Sequence, residues 1–173
     1  MGISEQVPGE AGFDAFVAAR GHALARTAYL LTGDHHLAED LVQVTLLKAA
    51  RAWHRVVGDP EPYVRRILHH EHVSGWRRRR HLQEVALTEG ADRAAPDSDP
   101  DARLALKAAL ATLTPKQRAV VVLRFYEDLT EVQAAAVLGV SPGTVKSTCR
   151  QALARLRSTA PHLAGLLTVG GTP

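Results

Sequence analysis

Thr144, Lys146, Ser147, Arg150, Gln151 and Arg155 stand close together and carry only hydroxyl, amide and cationic groups. Taken at helical spacing they share one side. Val145, Cys149, Ala152 and Leu156 recur at three and four residues on the other side and form an inward stripe. A helix that offers donors and positive charge without a carboxylate suits the major groove of DNA. Its first turns would meet base edges and its remaining cations would lie near phosphates. A plain helical hairpin with a solvated basic face would present the same groups. The other concentration of chemically capable residues is histidine, at His35-His36 and at His69-His70-Glu71-His72. His70-Glu71 begins an HExxH pattern, but Ser74 stands where the second histidine is required, so the zinc-protease motif fails. With no glycine-rich phosphate loop and no nucleophile motif, no catalytic site, metal or cofactor is expected.

The basic face needs an element in front of it to present it, and residues 129–157 supply one. Thr130 with Gln133 three residues later forms a capping box for a first helix through Ala134, Ala135, Ala136, Val137 and Leu138. Gly139 gives the tight turn, Ser141 caps the second helix, and Pro142 takes its first position, where a missing N–H costs nothing. The pattern is a helix-turn-helix. The single cysteine, Cys149, falls on the inward stripe and reads as a small core residue.

The rest of the chain is helix-forming, with 46% hydrophobic residues, 5% aromatics and no hairpin signal, so the expected fold is all-α. Residues 13–82 carry a net charge of +4, residues 83–103 carry −4, and residues 104–157 carry +5. Two basic blocks around an acidic segment fit two nucleic-acid-facing modules on a solvated linker. The expected organisation is one helical module over 12–82, a flexible acidic linker over 83–102, a second module over 103–158 and a tail over 159–173.

Residues 1–11 read as a frayed polar start, followed by a helix from Phe13 that ends at Gly33. Asp34 caps the next helix, whose apolar period runs through Leu37, Leu41, Val44 and Leu47 to about Trp53. Two prolines and a glycine make 55–62 a loop, and a third helix starts near Tyr63. Its apolar stripe falters across His69–His72. Leu104, Leu106, Leu110 and Leu113 open the second module, and Thr114, Pro115 and Gln117 start a capped helix. Val120–Tyr126 could be a strand by propensity, but the cap before it argues for a buried helix. No run is apolar enough for a membrane span or a signal peptide, so a cytoplasmic protein is expected.

These features together resemble the extracytoplasmic-function (ECF) sigma factors of the sigma-70 family, most closely the SigE type. AEDLVQ at 38–43 resembles region 2.2, YVRRILHHEHVSGWRRRR at 63–80 resembles regions 2.3 and 2.4, and LTPKQRAVVVLRFYEDLTEVQAAAVLGVSPGTVKS resembles region 4. The resemblance implies a dissociable specificity subunit of RNA polymerase. Its first module would bind the clamp helices of the β′ subunit and melt the −10 element. Its second would contact the β flap and read the −35 element. The family also implies a place for an anti-sigma factor, which no residue here identifies.

Carried over by position, the resemblance places Asp40, Gln43 and Leu46 at the polymerase contact, with Val44 and Leu46 departing from the usual Glu and Phe. It places Arg65, Arg66, His70, Trp76, Arg77, Arg78, Arg79 and Arg80 at the −10 element, where melting needs cations and stacking planes. Trp76 would suit a core position equally, and the arginine run a solvated helix end. His70 stands where many members have Asn. At the −35 element it adds Thr148 to the basic face, and Thr148 and Gln151 depart from the usual arginines. The rival is a LuxR-type helix-turn-helix regulator that binds duplex DNA without being a polymerase subunit. The helical basic module at 12–81 argues against that rival.

Overall fold

The computed structural model describes residues 10–82 and 100–161, and within them the side chains of 12–75, 101 and 104–161. Among the described residues there are seven α-helices and no strand. They are α1 (Glu10–Thr32), α2 (His35–Ala52), α3 (Glu61–Leu82), α4 (Pro100–Ala111), α5 (Pro115–Val121), α6 (Glu131–Leu138) and α7 (Pro142–Thr159). A single 3₁₀ turn, Trp53–Arg55, extends α2, and a π turn, Val122–Tyr126, extends α5. The expected all-α class holds.

Short-range chemistry sets most boundaries. Gly33 takes a left-handed conformation with φ 72° after α1, and the Asp34 carboxylate accepts from the Leu37 N–H at 2.9 Å to start α2. Full capping boxes start α5 and α6. Gln117 N–H donates to Thr114 Oγ1 at 3.2 Å and Gln133 N–H to Thr130 Oγ1 at 3.2 Å, with both glutamine side chains reaching back.

Several boundaries differ from the sequence expectation. Glu10 and Ala11 already belong to α1, while residues 1–9 lie outside the described residues. The loop at 55–62 is shorter than expected: Arg55 is in the 3₁₀ turn and α3 starts at Glu61, whose N–H donates to Asp59 Oδ1 at 3.0 Å. Pro62 sits in the first turn of α3, where the missing N–H is harmless. Pro100 and Asp101, assigned to the linker, open α4, an order that suits its N-terminus. Residues 83–99 lie outside the described residues. At the other end α7 continues to Thr159 and Ala160 is buried, so the fold runs past the expected tail boundary. Leu163, Leu166 and Leu167 lie outside the described residues.

The first core gathers Phe16, Leu24, Leu31, Leu41, Trp53, Val64 and Leu68 from α1, α2, the 3₁₀ turn and α3. Trp53 anchors it, with Phe13 edge-on at 5.0 Å and Phe16 at 5.4 Å between ring centroids. The inward face of α2 is Ala38, Leu41, Thr45 and Ala49, and the Thr45 hydroxyl donates to the Leu41 carbonyl at 2.7 Å. This corrects the expected apolar period. Val44 and Leu47 point outward, 38% and 53% exposed. Ala38, Thr45 and Ala49 let α2 pack closely around Leu41, while Val44 and Leu47 are left on the surface.

The segment His69–His72 does not interrupt α3. His69, Glu71 and His72 are buried polar groups, and Lys48 reaches Glu71 at 2.6 Å. The second module has two cores. Ala109, Leu110, Leu113, Val121, Ala152, Leu156 and Ala160 form one, and Val120, Leu123, Ala134, Ala135 and Val145 form the other. Val120–Leu123 is buried and helical, as the cap before it implied. Of the four leucines expected to open this module, Leu110 and Leu113 are buried, whereas Leu104 and Leu106 are exposed.

The two modules pack directly against each other. α3 lies against α5 and α6, and α1 against α5. Ala119 and Val122 of the second module are part of the first module's core, and Leu30 of α1 packs on the second module.

Candidate nucleic-acid and polymerase interfaces

The α6–α7 pair is held by its turn. Gly139 adopts φ 65° and ψ 37°, which returns the chain for Ser141 to cap α7 through the Thr144 N–H at 3.2 Å. Val145, Ala152 and Leu156 are buried, so the opposite face of α7 is turned outward. Lys146, Ser147, Arg150, Gln151 and Arg155 are exposed, while Thr144 and Thr148 are half-buried at its edge. The structure therefore brings all seven expected residues onto one surface. The Ser147 hydroxyl donates to the Thr144 carbonyl at 3.0 Å, and Thr144 Oγ1 lies 2.9 Å from Ser141 Oγ. Lys146, Arg150, Gln151 and Arg155 are thus the side chains best placed to reach outward. No Asp or Glu follows Glu131 in the sequence, so nothing acidic opposes them from that side.

Cys149 lies half-buried on the inner side of α7, and burial pushes its thiol above the ordinary range, partly opposed by Arg124. It behaves as a packing residue, as its place on the inward stripe suggested.

On α3 the expected residues separate. Arg66 and His70 are exposed and lie one turn apart. Arg65 turns the other way: its guanidinium pairs with Glu61 at 3.3 Å and with Glu127 of the second module. Trp76 and Arg77–Arg80 occupy the C-terminal turns of α3, and their side chains lie outside the described residues.

On α2, Asp40 and Gln43 are exposed on one side. Leu46 is half-buried and packs on the first core. The exposed apolar residues beside Asp40 and Gln43 are Val44 and Leu47, on the same face. Sequence reasoning assigned them inward because hydrophobic periodicity alone does not separate a core face from an apolar surface patch. The small inward residues Ala38, Thr45 and Ala49 were the available signal. Among the described residues no cluster of His, Cys, Asp and Glu could hold a metal ion, and no helix is long and apolar enough to cross a membrane.

Comparison with known proteins matches the same two modules in the same order. Residues 16–82 match Sigma-70 region 2, and residues 109–158 match Sigma-70, region 4. The chain is 39% identical over 149 residues to the RNA polymerase sigma-E factor of Streptomyces avermitilis, covering 84% of this chain and 83% of that one. It is 39% identical over 150 residues to the sigma-E factor of Streptomyces coelicolor, covering 84% of each. A solved structure, the sigma factor RpoE in complex with the anti-sigma factor NepR from Bartonella quintana, superposes with a TM-score of 0.72 at 30% identity. It covers 86% of this chain and 96% of that one. A helix-turn-helix alone would leave a regulator possible, but a region 2 module ahead of it, and relatives matched along most of their length, place this chain in the sigma-70 family as an RNA polymerase sigma factor of the extracytoplasmic-function group.

Proposed function

We propose that this chain is a dissociable specificity subunit that carries core RNA polymerase to promoters, reads the −35 element with α7 and opens the −10 element with α3. The outward face of α7 carries the reading: a capped, glycine-turned helix presents hydroxyl, amide and cationic groups free of carboxylates. Thr144, Lys146, Ser147, Thr148, Arg150, Gln151 and Arg155 meet the −35 groove, with the first turns at base edges. Arg65, Arg66, His70, Trp76 and Arg77–Arg80 serve the −10 element, where cations hold the backbone and an aromatic plane receives an unstacked base. Asp40 and Gln43 face the polymerase, and Leu46 supports that surface from beneath. The exposed Val44 and Leu47 extend it with apolar area.

The protein acts in the cytoplasm, carries no cofactor and catalyses no reaction of its own. Its partners are the β′ clamp helices and β flap of core polymerase, and promoter DNA. The related RpoE was solved bound to an anti-sigma factor, which supports a partner of that kind for this chain. The region 2 match disfavours a free LuxR-type regulator.

Reconstituted transcription tests the reading. With core polymerase and a library of genomic promoter fragments, the chain is expected to direct initiation from a defined subset, with permanganate-reactive thymines at −10. Initiation no different from core enzyme alone would overturn it.

A further inference from the structure

α4 is apolar on more sides than its module covers. Ala109 and Leu110 turn inward and join Leu113, Leu156 and Ala160 in a core. The outward row is apolar as well. Leu104, Ala108 and Ala111 follow one another at four and three residues, and all are exposed, Leu104 at 68%. A helix with apolar residues on opposite sides is ordinarily covered on both. The described residues leave the outward row open.

The end of α7 is delivered to the foot of that row. Thr112 lies four residues on from Ala108, and its hydroxyl is 3.3 Å from that of Thr159. Ala160 departs from helical geometry, with φ −144° and ψ 65°, and its N–H closes α7 on the Leu156 carbonyl at 2.7 Å. The chain therefore changes direction at a buried residue that is itself part of the core under α4. Pro161 is helical again, and proline suits a first helical position, where no N–H is needed.

The sequence that follows carries a pattern complementary to the row. Leu163, Leu166 and Leu167 stand at helical spacing, Gly170 comes where a helix begun at Pro161 would stop, and no Asp, Glu, Lys or Arg occurs after Arg157. A helix this short is not stable by itself in water and needs an apolar partner. We propose that residues 161–169 form a short helix that runs back along α4, antiparallel to it, and seats Leu163, Leu166 and Leu167 on Leu104, Ala108 and Ala111. The reach is sufficient. Leu104 lies eight residues before Thr112, about 12 Å of helix, and Leu167 lies seven residues after Ala160, about 10 Å at the same rise. Leucines set opposite alanines interdigitate without overpacking. The occupant is this segment rather than a second copy, because its tether at the foot of the row gives it an effective concentration on the order of millimolar. Docking here needs neither DNA nor polymerase.

Hydrogen exchange on the full chain, read by mass spectrometry at low micromolar concentration without polymerase, tests the seat. Amides of 163–168 are expected to exchange at least about tenfold more slowly than in an unfolded chain. Leu166→Asp is expected to return them to the unfolded rate and to speed exchange of 104–111 about tenfold, with α2 unchanged, since one buried leucine is lost from the seat. Leu104→Asp is the reciprocal variant. It alters a side chain that is exposed outside the seat and leaves the described cores intact, and it is expected to speed exchange of 163–168 by the same factor. A segment 163–168 that exchanges at the unfolded rate in the unaltered chain overturns the inference. So does a protected segment that Leu104→Asp leaves unmoved, or an α4 that Leu166→Asp leaves unmoved. Protection that appears only as the chain is concentrated would give the row to a second copy, and protection that appears only with core polymerase would give it to the polymerase. Either result also overturns the inference.

Discussion

Leu46 and Leu47 are neighbours in sequence with opposite surroundings. Leu46 packs on Trp53's core, while Leu47 is 53% exposed on the face that carries Asp40 and Gln43. Leu47→Ala removes no core contact and is expected to change stability by less than about 0.5 kcal/mol, as surface substitutions do. It should weaken association with core polymerase about tenfold in a fluorescence competition assay, because an exposed leucine at a protein interface loses its burial there. Leu46→Ala should instead lower the urea midpoint, by roughly 1–2 kcal/mol for a half-buried leucine. Equal effects of the two on stability would contradict this division. Asp40 and Gln43 came from the resemblance, and their three-residue spacing puts them on one side of α2. Leu47 was not legible, since its apolar character is the same signal that marks a core position.

Within the helix-turn-helix, the glycine turn and the caps decide whether the two helices meet correctly. Gly139 has φ 65°, and no neighbouring atom would obstruct a Cβ there, so a substitution meets backbone strain without a clash. Gly139→Ala is expected to cost about 1–2 kcal/mol, and Gly139→Asn less, because asparagine tolerates the left-handed region. Thermal melts of the full chain check the order. If alanine proved as stable as glycine, the turn would not be setting the geometry. Caps, turns and the α7 stripe were readable because each depends on residues only three or four apart. The unbroken α3 was harder to read. Its buried His69 and Glu71 find partners on other elements, Glu127 and Lys48, and such pairings over long sequence separations leave no local pattern. The beginning of α4 at Pro100 was hidden by the acidic composition around it.

Across the whole molecule, two basic modules predict a strong salt dependence. Holoenzyme affinity for promoter DNA should fall steeply with salt, with a log–log slope of about −0.9 for each phosphate neutralised. Replacing Arg77–Arg80 with alanine should reduce that slope by roughly three to four, measured by filter binding across a salt titration. An unchanged slope would remove those arginines from the phosphate contacts. Composition and charge blocks made the two-module plan legible. The contact between the modules was not, because it depends on single residues such as Arg118 and Glu127 that look like ordinary surface charges in sequence.

The π turn at Val122–Tyr126 adds one residue to what would otherwise be a simple helix end. The Glu127 N–H reaches back five residues to the Val122 carbonyl at 3.0 Å, and Asp128 follows at φ 51°. One residue is about 100° of helical rotation. A chain shortened by a single codon here would form a more regular α5, yet it would swing Glu127 away from Arg65 and His69 and turn α6 and α7 with it. Length in this stretch acts as a phase setting, coupling the aim of α7 to the contact between the two modules. Insertions and deletions should therefore be purged from 122–128 more strictly than changes of side chain.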